Sequence, residues 1–244
     1  MLVGVVAKAV LIASSMWNSQ PPVELITSSY LPGALHQLEQ AKQAMEEGNV
    51  AMAQAYARLV LHDQGLKVFI DLSEAPASLR SEAESASMEA IDYWNATVGA
   101  SSLSLVQSAN EAQVQIVFRR EVILRGVQVG GYCSQSRSVT ANGPGEATSE
   151  YFATIFARYE MPGGRRLSAL SLKNIVAHEI GHVYGLNDCA DRDHLMSALD
   201  PSKPKFDLHA DEMTALRNLR LTTFGIQRAA LTRVRLNQVQ KVQS

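Results

Sequence analysis

The apolar positions of this chain fall into a series of short periodic runs. In residues 33–64, Leu35, Leu38, Ala41, Ala44 and Met45 recur at helical spacing. Glu47, Gly48 and Asn49 interrupt the pattern, and Met52, Ala55, Tyr56, Leu59 and Val60 resume it. Apolar residues three and four apart line one helix face, so the segment predicts a helical hairpin. A lone hairpin cannot bury its own apolar face and needs the rest of the chain, or a partner, to dock on. Residues 66–72 and 113–118 alternate apolar and polar positions and predict strands, with a third, short one at 103–106. Between the first two, Pro76 precedes a predicted helix over residues 78–97, with Leu79, Met88, Ile91 and Trp94 among its apolar positions. Residues 126–145 are rich in glycine and open to two readings: a flexible loop, or an extended rim strand around residues 129–134. Residues 151–159 predict another strand. A helix begins at Ser168 or Ser171, both plausible N-caps, and carries Leu172, Ile175, Val176 and Val183. A last helix is predicted over residues 206–221, with Asp207 or Asp211 near its start. Strands and helices in this order give an α+β domain.

Composition adds limits. The chain has 244 residues, 46% hydrophobic and 19% charged, with a formal net charge of −2. These are values of a globular protein, and nothing in them points to nucleic acid. The predicted organisation is a signal or anchor segment over residues 1–20, the hairpin over 21–65, as appendage or propeptide, a main domain over 66–225 and a basic tail over 226–244. Residues 2–13 are apolar apart from Lys8, which suits a signal or anchor; the alternative is an N-terminal strand or helix of the folded protein. After Glu212, Arg217, Arg220, Arg228, Arg233, Arg235 and Lys241 occur with no acidic residue, as a solvated basic helix or a contact for an anionic partner. Cys133 and Cys189 are the 2 cysteines, compatible with one disulfide or with two buried thiols.

The chemistry concentrates in residues 178–188. His178 and His182 lie four apart, so a helix presents both imidazoles on one face to a single metal ion. Zinc takes imidazole nitrogens readily, and a catalytic zinc keeps one position open for water. Glu179 is the candidate general base. Gly185 lets the helix end in a left-handed turn, which brings Asp188 round as a third ligand. His194, Asp191 and Asp193 are rivals for that place, and a Cys189 thiolate is also open. With 6 histidines in the chain, this HExxH pattern arises by chance in roughly one such chain in a hundred. His36, His62 and His209 fit surface or packing roles better than ligation.

The pattern HExxHxxGxxD followed by Leu195, Met196 and Ser197 resembles the metzincin zinc metalloproteases, matrixin branch, with the Asp188 variant similar to the snapalysin-like bacterial members. The resemblance implies His178, His182 and Asp188 as zinc ligands, Glu179 as catalytic base and Met196 in a Met-turn beneath the metal. It also implies a twisted mixed sheet of about five strands above the active-site helix, a C-terminal helix, and action outside the cytoplasm, secreted or membrane-tethered. Structural calcium accompanies the family, but no acidic loop marks a site here. The cysteine block of matrixin propeptides is unavailable, because no cysteine precedes Cys133.

The expected reaction is hydrolysis of a peptide bond in a polypeptide substrate, with Glu179 accepting the water proton. Gly130, Gly131 and Tyr132 are candidates for a cleft rim that pairs with extended substrate. Two other function classes share the motif: an interaction module that binds zinc without catalysis, and a zinc hydrolase of non-peptide amides.

Overall fold

The computed structural model describes residues 27–99 and 102–242. The expected signal or anchor over residues 1–20 lies outside the described residues. Helices α1 (Pro32–Glu46) and α2 (Val50–Leu61) form the predicted hairpin. Asn49 caps α2 by accepting the Met52 amide at 3.3 Å. The main domain runs β1 (Leu66–Asp71), α3 (Ala77–Val98), β2 (Leu103–Leu105), β3 (Val114–Arg119), β4 (Val122–Leu124), β5 (Val127–Val129), β6 (Gly131–Gly143), β7 (Glu146–Arg158), α4 (Ala169–Val183) and α5 (Ala210–Val242).

The architecture is the expected α+β one. Five strands form a mixed sheet in the order β2-β1-β3-β7-β6, parallel except for the antiparallel pair β6 and β7. Buried Val114, Ile116 and Phe118 of β3 and Ile155 and Ala157 of β7 face the helices. Helix α4 carries an almost unbroken buried surface from Ser171 to Val183. A helix covered on nearly all sides belongs inside a core rather than on a surface. It sits between α3 and the β6–β7 half of the sheet. Trp94 of α3 is fully buried against it and donates its indole N–H to the Ala177 carbonyl at 2.8 Å.

Three boundaries differ from the sequence expectation. The glycine-rich segment is no loop: from Gly131 on it is a thirteen-residue strand paired along its length with β7. Glycine suppresses strand propensity locally, but a long partner supplies the ladder that the segment's own composition does not announce. The strand predicted at 151–159 begins earlier for the same reason, at Glu146. The last helix continues past Leu221 to Val242. Its extension holds Ile226 and Ala230 buried, and Arg233 donates to the Met45 carbonyl at 2.7 Å. The basic stretch that follows Glu212 is therefore helical, and its first half packs on the hairpin.

The hairpin shares one hydrophobic cluster with the sheet and α4. His62, at its end, is buried between Tyr151 and Tyr184 and bonds the Val183 carbonyl at 3.3 Å. Burial, together with nearby Arg137, holds this imidazole neutral, with its pKa pushed down to about 3. Both cysteines are free thiols. Among the described residues no helix is long and apolar enough to cross a membrane.

Candidate metal centre

Ser168 accepts the Ser171 amide at 3.2 Å and starts α4, three turns before the first site residue. The helix then places His178, Glu179 and His182 in the buried interior, their donor atoms all within 4.8 Å of one another. Gly185 ends it at φ +88, with its amide on the His182 carbonyl and the Leu186 amide on the Gly181 carbonyl. An added Cβ at Gly185 would stand 3.0 Å from both Ala34 and Leu219, so the turn is also pressed between α1 and α5. This bend carries the chain to Asp188.

The ring orientations are fixed by main-chain carbonyls. His178 donates from Nδ1 to the Leu195 carbonyl at 2.9 Å, and His182 from Nδ1 to the Leu186 carbonyl at 2.9 Å. A carbonyl can only accept, so the proton of each neutral ring sits on Nδ1 and the lone pair on Nε2. Both Nε2 atoms face Asp188 Oδ1, at 3.1 and 3.5 Å. Glu179 stands further off, with Oε2 4.0 Å from His182 Nε2.

Charges follow this geometry. Burial is the main influence on Glu179, opposed by His178, and pushes its carboxyl up to about 7. A cation at the imidazoles would pull it back down. Glu179 Oε2 is buried with no hydrogen-bond partner, an orphan that calls for a ligand or a reacting proton. A protonated His178, donating from Nε2, holds Asp188 below its ordinary value. Burial lowers His182; at His178 burial also pulls down but is outweighed by Asp188, Glu179 and the Leu195 carbonyl, so its pKa rises.

Two glycines make room for this site. A Cβ on Gly131 would lie 2.5 Å from Glu179 Oε1 and 2.8 Å from Ile175, so the start of β6 runs directly over the carboxylate. A Cβ on Gly181 would overlap Met196 Sδ, and the buried Met196 fills the space between the two histidine turns. Gly130 lies against Leu199 and is paired with β7 through Arg158. Tyr132 is half-buried in β6 opposite Phe156. Gln135 of β6 donates to the His182 carbonyl at 2.9 Å.

Of the rivals for third ligand, His194 is turned away from α4 and bonds Asp211 at 2.8 Å. Asp191 and Asp193 are exposed in the same turn. The Cys189 thiol bonds the Asp191 carbonyl at 3.6 Å. Sequence reasoning missed Glu212. This buried carboxylate accepts the amides of Met196 at 2.7 Å, Leu195 at 3.3 Å and His209 at 2.7 Å. It thereby holds the turn whose carbonyl orients His178. Its only sequence signal is an acid in the first turn of a helix.

A helix bearing paired imidazoles, sheltered under the antiparallel edge of a mixed sheet, defines a metallopeptidase-type domain. The family model described as Matrixin matches residues 67–220, more than half of the chain, and the chain belongs to the matrixin family. That family uses zinc and acts on polypeptides, so a zinc-metallopeptidase function and polypeptide substrates follow for this domain. No curated protein matches the chain.

Proposed function

We infer that the protein is a zinc-dependent endopeptidase, with His178, His182 and Asp188 holding the ion and Glu179 acting as general base. The observation that carries this is the shared aim of the donors. Two imidazoles with their protons pinned on main-chain carbonyls turn both lone pairs toward one Asp188 oxygen, and an unpaired buried carboxylate oxygen stands beside them. Two imidazoles and one carboxylate are a catalytic zinc set that leaves a position for solvent. Asp188 ranks above Glu179 as ligand because its oxygen is nearer to both nitrogens. Bound there, zinc would polarise the scissile carbonyl and make a water acidic enough to attack it.

The chain's own residues do the rest. Glu179 takes a proton from the attacking water and returns it to the leaving amine. Its buried Oε2, unpaired within the protein, is free to hold that proton between the two steps. Met196 and Glu212 keep the imidazoles from shifting with the turn below them. An extended substrate adds to the free edge of β6 at Gly131 and Tyr132, where main-chain hydrogen bonds accept any sequence. The missing side chain of Gly131 lets the peptide and Glu179 approach the same point. The reading includes action outside the cytoplasm, supported by the apolar run of residues 2–13.

The test is hydrolysis of unfolded casein by zinc-loaded wild type, by Glu179→Gln, and by wild type with a chelator. Cleavage that disappears in the variant and with the chelator, while the variant keeps its zinc, supports the assignment. Equal cleavage by wild type and Glu179→Gln would remove the base. Casein cleavage at the wild-type rate by zinc-loaded Asp188→Ala would overturn the ligand set.

A further inference from the structure

A second set of imidazole and carboxylate donors lies on the other side of the Met-turn. His194 sits two residues before Met196, His209 lies immediately before α5, and Asp211 occupies the first turn of that helix. His194 Nε2 is 2.8 Å and His209 Nδ1 2.9 Å from the same oxygen, Asp211 Oδ1. The two rings stand 4.4 Å apart at 86°. In the first site the corresponding rings stand 4.9 Å apart at 89°, with both nitrogens on Asp188 Oδ1. The two clusters thus share their donor types, their ring arrangement and one carboxylate oxygen as focus.

His194 is buried, with its side chain 6% exposed, and its Nδ1 has no hydrogen-bond partner. The Asp191 carboxylate stands 3.6 Å from that nitrogen, placed to orient the ring from behind as carboxylates do for metal-bound histidines. A buried imidazole flanked by two carboxylates is unusual packing, because nothing in a hydrocarbon core needs it. His209 and Asp211 face solvent, which leaves an approach for an ion and room for water in its remaining positions. The His209 backbone is anchored by Glu212, so the cluster is held from both sides.

We propose that His194, His209 and Asp211 form a second metal site that takes a zinc-class divalent ion and staples the turn before Met196 to the start of α5. Two imidazoles select zinc and its transition-metal neighbours over calcium and magnesium, which favour all-oxygen shells. Among the described residues no buried, unpaired carboxylate oxygen like that of Glu179 stands beside this cluster, so the site is structural. Its target is the turn that orients His178, since Leu195 follows His194 directly and its carbonyl holds the first imidazole. The competing account is one carboxylate shared by two imidazole N–H donors with no ion.

Zinc-loaded protein, desalted and analysed for metal per chain, decides between them. Wild type and Glu179→Gln are expected to carry two equivalents. His209→Ala and Asp211→Asn, both changed at exposed side chains, are expected to keep one, with unchanged far-UV circular dichroism. One equivalent in wild type, or two in both variants, overturns the proposal. Cobalt titration of the wild type gives a check that needs no variant: two successive visible absorption steps support the second site, and a single step overturns it.

Discussion

His178 and His182 project from one buried helix, a turn apart, onto Asp188, whereas His194 and His209 come from two separate segments and meet on Asp211. Their donors are alike, and their surroundings are not. The first pair has an unpaired carboxylate oxygen within 4.0 Å and a strand edge running over it at Gly131. The second has the Asp191 carboxylate on one side and solvent on the other. Donor geometry gives a place for an ion; a free base and a channel for substrate turn such a place into a reaction centre. The helix supplies rigidity to the first cluster, and the second joins a loop to a helix start, which is what a staple does.

The sharpest way to separate the clusters is to change one carboxylate in each. Glu179→Gln is expected to lower kcat/KM for an unfolded protein substrate by about 10²–10⁴-fold, with zinc content kept. Asp211→Asn should lower metal content and melting temperature with a far smaller effect on turnover. If the two changes reduced turnover equally, the division into catalytic and structural sites would fail.

Next comes the strand over the first cluster. Gly131→Ala puts a carbon 2.5 Å from Glu179 Oε1. Displacing that carboxylate is expected to cost roughly 10²-fold in kcat, seen in steady-state kinetics, with the fold intact by circular dichroism. Wild-type kcat in this variant would mean the strand does not press on the base. Glu212 joins both clusters, since it accepts from Leu195, Met196 and His209. Glu212→Gln turns an N–H₂ toward one of those amides and should destabilise the protein by about 2–3 kcal/mol in urea unfolding. Metal affinity should fall at both sites, and a change confined to one would show that the turn is not shared.

His62 is the contrasting imidazole, buried with no carboxylate to pair it. Its folded pKa, about 3, lies below the ordinary 6.5, so the unfolded chain binds the proton first. Stability from this group is full above pH 6.5 and falls as pH drops toward 3. At pH 5 the loss is about 2 kcal/mol, and His62→Gln should flatten that part of the pH–stability curve. An unchanged slope in the variant would place the acid sensitivity elsewhere.

The elements near the chemistry were legible because their signals are local. Two histidines four apart share a helix face whatever surrounds them, and Gly185 after the second predicts the turn that the structure shows at φ +88. The hairpin and four of the sheet's strands followed from helical spacing and alternation, whereas the mixed five-stranded sheet and the named fold rested on the motif's resemblance. Residues 131–143 were ambiguous because their order comes from β7, which the local composition does not encode. The extent of α5 was hidden for the same reason, since its apolar contacts are spent on the hairpin.

What the sequence determined by itself is the pair His178 and His182, Glu179 beside them and the helix that carries all three, because backbone periodicity alone aligns those side chains. Only the tertiary structure decided that Gly131 lies on Glu179, that Glu212 holds the Met-turn, and that His194 leaves the first cluster to join His209 and Asp211. Those contacts link segments far apart in the chain. Their formation depends on how helices and sheet pack as a whole, and a sequence window carries no record of a neighbour brought in from elsewhere.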